Sequence, residues 1–146
     1  MKANHAAFCI SRHALLLHTT SSAVTGSANP DPTAVIASSY TVEPVHTRVQ
    51  FTVSHMGFTN WHGDFSGASG SLRIDPKNAA ASKVEISIPT ASVSTTNTIL
   101  YAELKTADWF DAARFPTIRF ASTAVVPTGP GTADITGDLT FHGITM

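Results

Sequence analysis

The sequence has a single cysteine, few charged residues and no long apolar run. Because Cys9 has no second cysteine to pair with, an intrachain disulfide and a thiolate-rich metal site are both excluded. Lys and Arg number 9 against 10 Asp and Glu, so no basic face is available for a phosphate backbone and nucleic acid is not an expected partner. No stretch approaches the roughly 18 consecutive apolar residues of a membrane span. A chain of 146 residues is expected to form one domain around one core.

Residues 1–38 differ in composition from the rest of the chain. They mix Ala, Ser, Thr, His and Pro without a sustained period, and residues 19–32 are typical of a flexible linker. Upstream, Lys2 and Arg12 precede a short apolar run, as in a degenerate export signal, although His18 ends that run early. A disordered leader is the alternative interpretation. We expect the folded domain to span residues 39–146.

A period of two begins near Tyr40 and recurs to the end of the chain. In "TRVQFTVSH", apolar Val49, Phe51 and Val53 alternate with polar residues, which is the pattern of a half-buried strand. Turn-forming stretches such as "SGASG" and "PTGPG" separate the runs. The pattern predicts an all-β fold, an antiparallel meander curled into a barrel or a sandwich. The same alternation is present in "SLRID" (71–75), "KVEISIP" (83–89), "TIRFAS" (117–122) and "ADITGDLTFHG" (133–143).

Two segments interrupt the strand pattern. "TNTILYAELKT" places Leu100 and Leu104 four residues apart after residues able to cap a helix, which predicts one short helix across the sheet. In "DWFDAARFPTIRF" (108–120), Asp111 is expected to cap a single turn that Pro116 ends, with a strand restarting at Thr117. Spacing alone favours an aromatic plug that seals a core.

Catalytic and metal-binding patterns are weak. The expected folded domain contains four histidines, His46, His55, His62 and His142. They are scattered without close spacing, so neither a metal site nor a His-based metal-dependent enzyme is favoured. His55 shares a strand face with Phe51 and Val53, which predicts a buried, hydrogen-bonded histidine. Ser54 points to the opposite face from His55, so this pair cannot act as nucleophile and base. We expect a protein that is not an enzyme and needs no cofactor. Trp61 and His62 could line a barrel mouth or pack on its outside.

Five segments together resemble the YceI-like family of lipocalin-like proteins. They are "HTRVQFTVSHMGF", "GDFSGASGSLRID", "ASVSTTN", "LKTADWFDAARFPTIRF" and "GDLTFHGIT", in that order. The resemblance implies an antiparallel, eight-stranded, lipocalin-like β-barrel with a helical segment, exported to the periplasm. It also implies a long apolar ligand in the interior: a polyisoprenoid, an isoprenoid quinone or a fatty-acid derivative. An eight-stranded barrel interior is either filled by side chains or holds one small ligand, and the residues leave both open.

The chain departs from the family pattern at two places. Where the family carries a polar "R-D-x-H-L" on its helix, this chain has residues 100–104, "LYAEL". The family continues past "HGIT" for roughly three more strands, so we expect a C-terminally truncated barrel with about five or six of its eight strands. Completion of the sheet by a second copy is a minority hypothesis. The positions that match the family are His46, His55, Asn97, Phe110, Phe115, Pro116 and His142.

The expected function is binding, sequestration or transport of this ligand without catalysis, with transient membrane contact as a further possibility. A structural or partner-binding β-domain with a packed core is the alternative. The residues predicted to form the ligand-binding wall are Phe51, Val53, Phe58, Leu72, Ile74, Ile86, Ile88, Leu104, Trp109, Phe110, Phe115, Phe120, Leu139 and Phe141.

Overall fold

The structure, a computed structural model, describes residue 31 and residues 34–146. Cys9 and most of the expected N-terminal leader lie outside the described residues. The described part contains eight strands and one α-helix, which confirms the all-β prediction with one short helical segment. The elements are β1 (Ser38–Thr41), β2 (Val49–His55), β3 (Thr59–Phe65), β4 (Ser69–Ile74), β5 (Lys83–Pro89), α1 (Thr98–Leu104), β6 (Thr117–Gly129), β7 (Thr132–Phe141) and β8 (Ile144–Thr145).

The strands form two antiparallel units. One is a six-stranded sheet in the order β1-β4-β5-β6-β7-β8, and the other is the hairpin β2–β3. The sheet is open, because β1 and β8 lie at its two ends. All five runs of alternating residues lie in strands, and β1, β3 and β8 are additional. These three give no clear alternation, since β1 and β8 are short and β3 carries Gly63 among polar residues.

The registers place apolar residues on one face of the six-stranded sheet. Residues that pair directly across an antiparallel ladder point to the same face. One row across β4 to β7 consists of Gly70, Ile86, Phe120 and Leu139, while the neighbouring row begins with Ser71 and Glu85. We call the face that carries Ile86 and Phe120 the inner face.

An irregularity in β6 changes which residues of its second half point to the inner face. The register shifts between Ser122 and Ala124, so one extra residue is inserted there. As a result Val125 pairs with Ile135 on the inner side, and Val125 is buried. A 3-10 turn, Ala79–Ala81, contacts β6.

The hydrophobic core lies between the sheet, the hairpin and the helix. The hairpin contributes Phe65, and the amide groups of Asp64 and Ser94 each donate to the other's carbonyl at 2.8 Å. The helix contributes Leu104. The hairpin is thus attached to the rest of the domain mainly through core side chains. The buried members of the core are Phe65, Ala68, Ile88, Val93, Leu104 and Ile118.

Helix α1 begins at the expected cap. The Asn97 side chain oxygen accepts hydrogen bonds from the amides of Ile99 and Leu100, at 3.0 and 3.1 Å. Leu104 is buried and Leu100 packs against the core, so the predicted apolar stripe faces inward. In the described part of the chain no helix has the length and apolar character needed to cross a membrane.

The segment after the helix forms the expected turn. The carbonyl of Asp111 accepts from the amides of Arg114 and Phe115, at 3.0 and 2.8 Å, and Asp111 itself has a positive φ of 45°. The carbonyl of Pro116 accepts from the Thr90 amide at 2.9 Å, and β6 begins at the next residue. The prediction that this segment is a turn followed by a strand is confirmed. Asp111 takes part through its backbone carbonyl.

Candidate functional site

Half of the predicted wall lies together on the inner face. The exposure of the inner face changes along the strands: Ile88 and its cross-strand partner Ile118, which was not part of the predicted wall, are 2% and 6% exposed. In the next apolar row, Ile86, Phe120 and Leu139 are only half-buried. The members of the predicted wall on this face are Leu72, Ile74, Ile86, Ile88, Phe120, Leu139 and Phe141.

At one end of the inner face, four phenylalanine rings pack against one another. The Phe110 ring centroid lies 6.0 Å from that of Phe51, 5.9 Å from Phe65 and 5.2 Å from Phe141. Edge-to-face contacts of this kind add to the stability gained from burial. We call these four rings the aromatic cluster. Phe65 was missing from the sequence-based wall, because it lies in "GDFSG" next to turn-forming residues. Leu104, which the predicted wall did include, is buried beside the aromatic cluster.

Beyond the aromatic cluster the inner face is apolar but not sealed. We call its half-buried members, Leu72, Val84, Ile86, Phe120 and Leu139, the inner patch. None of them carries a charge. The Phe120 ring lies over Gly137, where a Cβ atom would overlap it. All members of the inner patch except Val84 belong to the predicted wall, and their half-buried side chains leave apolar surface uncovered.

The remaining predicted residues lie outside the inner patch. Val53, Phe58 and Trp109 are 50%, 87% and 48% exposed, and Phe58 lies in the turn of the β2–β3 hairpin. The Phe115 ring packs at a tilt against the His142 ring with centroids 4.5 Å apart, and the Arg114 guanidinium lies over the Phe115 ring, 5.2 Å from its centroid. The structure does not bring these four predicted residues together with the inner patch.

A shallow groove of about 380 Å³ lies across the middle of the same sheet. Its lining includes polar Ser71, Glu85, Ser87 and Arg119 as well as Ile86 and Phe120 of the inner patch. By register the four polar residues alternate with Ile86 and Phe120 along the strands, so they point to the outer face. Polar and charged side chains on the outer face do not suit a long apolar chain, and the inner patch is the better candidate.

Residues 40–146 match the model of the YceI-like domain. The chain belongs to the YceI-like family. The relatives and solved structures it resembles support the same assignment, and the lipocalin-like, antiparallel fold expected from the sequence is confirmed with its barrel open in the described part.

Among curated YceI-like relatives, the chain is 40% identical over 103 residues to a UPF0312 protein of Pseudomonas syringae pv. syringae, which covers 70% of this chain and 54% of the relative. It is 36% identical over 116 residues to a UPF0312 protein of Vibrio vulnificus, covering 78% of this chain and 61% of that protein. The chain therefore spans about half the length of the curated relatives it matches.

Two solved structures share the fold. Burkholderia cenocepacia BcnA superposes with a TM-score of 0.62 at 29% identity, over 68% of this chain and 62% of that one. The Campylobacter jejuni YCEI protein, crystallised with large solvent channels for nanotechnology applications, gives a TM-score of 0.56 at 28% identity, over 66% of this chain and 56% of that one.

The histidines within the described residues of this YceI-like chain lie in separate places. His46 Nδ1 is 2.7 Å from Glu43 Oε2, His62 Nδ1 is 3.0 Å from Thr52 Oγ1, and the His55 ring packs on Trp61 at 5.9 Å. Among the described residues, no three His, Cys, Asp or Glu side chains are grouped closely enough to hold a metal ion. The prediction of a buried His55 is wrong: β2 extends past the core, so its last residues are exposed although they continue the apolar alternation.

Glu43 organises the turn that follows β1. Its carboxylate accepts from the amides of Val45 and His46, at 3.1 and 2.7 Å. Hydrogen bonds from these two backbone N–H groups, Val45 first, lower the pKa of Glu43 below its ordinary value, and the His46 side chain adds to the effect. This arrangement is a local turn, closed by contacts between Glu43, Val45 and His46.

Proposed function

We propose that this chain binds a long-chain apolar ligand on the inner patch and sequesters or transports it without changing it chemically. The ligand class is a polyisoprenoid, an isoprenoid quinone or a fatty-acid derivative. The observation that carries the proposal is the unsealed apolar surface between the aromatic cluster and Val125.

The contrast between neighbouring rows supports this proposal. Ile88 and Ile118 are covered by the core, whereas Ile86 and Phe120, two residues further along the same strands, keep part of their apolar surface uncovered. A structural domain gains stability by covering such surface with its own side chains. An alkyl or prenyl chain would cover it instead.

The chemistry of the patch favours a long and unbranched or regularly branched hydrocarbon. It has no charged side chain to recognise a compact polar ligand. Burial contributes about 0.8 kcal/mol per CH₂ removed from water, so affinity rises with chain length. Leu100 and Leu104 on α1 both face the core, so the helix also contributes apolar side chains to the interior.

A packed β-domain that binds a protein partner is the rival function. It is favoured by the aromatic cluster, in which the Phe110 ring packs against both Phe51 and Phe141. These three residues then stabilise the fold, and only the inner patch remains for a ligand. The two functions differ in whether an apolar probe enters.

The test is ligand recovery and probe uptake. The purified full chain is extracted with organic solvent for mass spectrometry, and is titrated with a fluorescent prenyl or fatty-acyl probe. Replacement of Phe120 by Ser removes apolar area from the patch and is expected to weaken probe binding about tenfold or more. Ala121→Ser, one residue along on the outer face, is the matched control and should bind as the parent chain does.

Phe120→Leu keeps an apolar side chain and should retain most of the binding. Circular dichroism and urea unfolding establish that each variant is folded. Empty extracts together with no probe uptake would favour the packed domain. Equal loss in the Phe120→Ser and Ala121→Ser proteins would remove the inner patch from the proposal.

We also propose a periplasmic or secreted location, supported by the family resemblance and by the basic residues Lys2 and Arg12 before a short apolar run. Cell fractionation of the native host with an antibody to this chain tests it; recovery only in the cytoplasmic fraction would contradict it.

A second copy that extends the open sheet is a lesser hypothesis. Sedimentation at several concentrations tests it, and a monomer throughout would contradict it.

A further inference from the structure

We propose that the turn end of the β2–β3 hairpin docks on the surface of a lipid bilayer. We define the hairpin tip as Val53, His55, Met56, Phe58 and Trp61. This proposal concerns a membrane surface and not the ligand on the inner patch, so it stands independently of the proposed function.

Apolar side chains are concentrated at the hairpin tip. Met56 and Phe58 are 77% and 87% exposed, and behind them Val53 and Trp61 are 50% and 39% exposed. Val53 pairs directly with Trp61, so these two share one face. Single exposed apolar residues are ordinary on protein surfaces, whereas several exposed apolar side chains at the end of one hairpin indicate a contact surface.

The turn itself uses a residue that its backbone does not favour. The Phe58 amide donates to the His55 carbonyl at 3.1 Å, and both central residues, Met56 and Gly57, have positive φ values of 53° and 77°. Such a turn prefers Asn, Asp or Gly at its first central position, because other side chains are strained there. Met56 therefore has an unfavourable backbone conformation and also exposes an apolar side chain to water.

The charge of the hairpin favours an electrically neutral surface. No Asp, Glu, Lys or Arg occurs from Val49 to Gly63. The nearest charges are Arg48 and Asp64 at the base, where the guanidinium Nη1 lies 4.0 Å from Oδ2. A tip without charge matches the boundary between zwitterionic headgroups and acyl chains, since no charged side chain loses its hydration there.

The order of side chains along the hairpin also fits a membrane boundary. Met56 and Phe58 are in the turn, while Trp61 lies further back, with its ring packed edge-on against His55. Tryptophan is enriched where apolar and aqueous regions meet, because its ring has an apolar body and a polar N–H. The opposite face of the hairpin carries polar Thr52 and His62, joined by a hydrogen bond.

The experiment measures binding of the full chain to phosphatidylcholine vesicles by flotation. The parent chain is expected to float with the vesicles. Phe58→Ser is expected to lower the partition coefficient about tenfold or more, because a buried phenylalanine contributes on that scale. Ile99→Ser is the matched control, since Ile99 is 79% exposed and belongs to α1 and not to the hairpin, and its loss should leave vesicle binding unchanged.

A second variant separates docking from folding. Met56→Asn places a preferred residue in the turn and should raise the urea midpoint, while it lowers vesicle binding several-fold. Trp61 reports the contact directly: in a Trp109→Phe background it is the remaining tryptophan, and its emission should shift to shorter wavelength on vesicle binding.

Several results would overturn the proposal. The first is that the parent chain does not float with the vesicles, and the second is an equal loss of binding in the Phe58→Ser and Ile99→Ser proteins. The third is binding that requires anionic lipid and disappears at about 1 M salt, where charges are screened within about 3 Å. Self-association that Phe58→Ser abolishes, without vesicle binding, would assign the tip to a second copy of the chain.

One result separates this proposal from the proposed function. Vesicle binding that persists in the Phe120→Ser protein would support docking even if ligand binding fails.

Discussion

The Phe51 ring lies directly over Gly63, its partner across the β2–β3 hairpin. A Cβ atom on Gly63 would overlap that ring, so the missing side chain is what allows Phe51 to lie flat across the hairpin and reach Phe65 at 5.3 Å. An aromatic ring that covers a cross-strand glycine is a known stabilising pair in sheets. Here it connects the hairpin to the aromatic cluster.

Gly63→Ala should destabilise the protein by about 1–3 kcal/mol, because the new methyl group displaces Phe51 from the aromatic cluster. Ser54→Ala, on the opposite and exposed face of β2, should change the free energy of unfolding by less than about 0.5 kcal/mol. Urea unfolding of the two variants measures the difference. Similar values would mean that the ring has space to move aside.

Replacement of Asn97 by Ala should cost about 1 kcal/mol, because the amides of Ile99 and Leu100 lose their acceptor. Asn97→Asp retains an acceptor oxygen and should stay close to the parent stability. Thermal unfolding followed by circular dichroism compares the three proteins. Equal losses in both variants would show that the cap oxygen is not what stabilises the start of α1.

The Thr90 hydroxyl, in a side chain that is buried, donates to the Phe115 carbonyl at 2.6 Å. Thr90→Val preserves the shape and removes the donor, with an expected loss of about 1–3 kcal/mol in the free energy of unfolding. Thr90→Ser keeps the hydroxyl and should cost about 1 kcal/mol for the methyl group. Chemical denaturation ranks the two; a larger loss in the serine variant would mean that packing outweighs the hydrogen bond.

The turn after β1 should make stability depend on pH through Glu43. Backbone N–H donors from Val45 and His46 lower the pKa of this carboxyl in the folded state. A carboxyl of this kind stabilises the fold above its unfolded pKa, about 4.3 for glutamate, and the contribution is lost as the pH falls through the lower folded pKa. Glu43→Gln should therefore flatten the dependence of the melting temperature on pH in that acidic range.

An NMR titration gives the direct measurement for Glu43. The side-chain carboxyl signal should titrate at a lower pH in the folded chain than in urea. Coincident midpoints would show that the two amides do not favour the ionised form in solution.

The strand pattern and the helix were predictable from the sequence because each depends on local chemistry. Phe120 and Leu139 lie on one face as their alternation requires, and Asn97 caps α1 as its position before Leu100 and Leu104 indicates. The extent of the core was not predictable. Val53 and His55 continue the alternation of Phe51, yet they are exposed, because a period of two specifies a face and does not say what covers it.

The separation of the predicted wall into cluster, inner patch and exposed residues also needed three-dimensional information. Phe110 and Phe120 look alike in the sequence, but Phe110 packs among other rings and Phe120 lies over Gly137 on the half-buried face. Phe58 was assigned to the wall for its apolar side chain, and it lies in a turn. Whether the inner patch binds a ligand stays a prediction that probe uptake tests.

The hairpin β2–β3 shares no ladder with the six-stranded sheet, so its own seven residue pairs form a unit that can open cooperatively. Such an opening would break the contacts of Phe65 and the reciprocal bonds of Asp64 and Ser94, while the central strands stay paired. The amides of Asp64 and Ser94 should then exchange hydrogen with water together, at a lower opening free energy than those of Ile86 and Ile88. The hairpin can therefore separate from the core by breaking side-chain contacts and these two backbone bonds, without separating any strands of the six-stranded sheet.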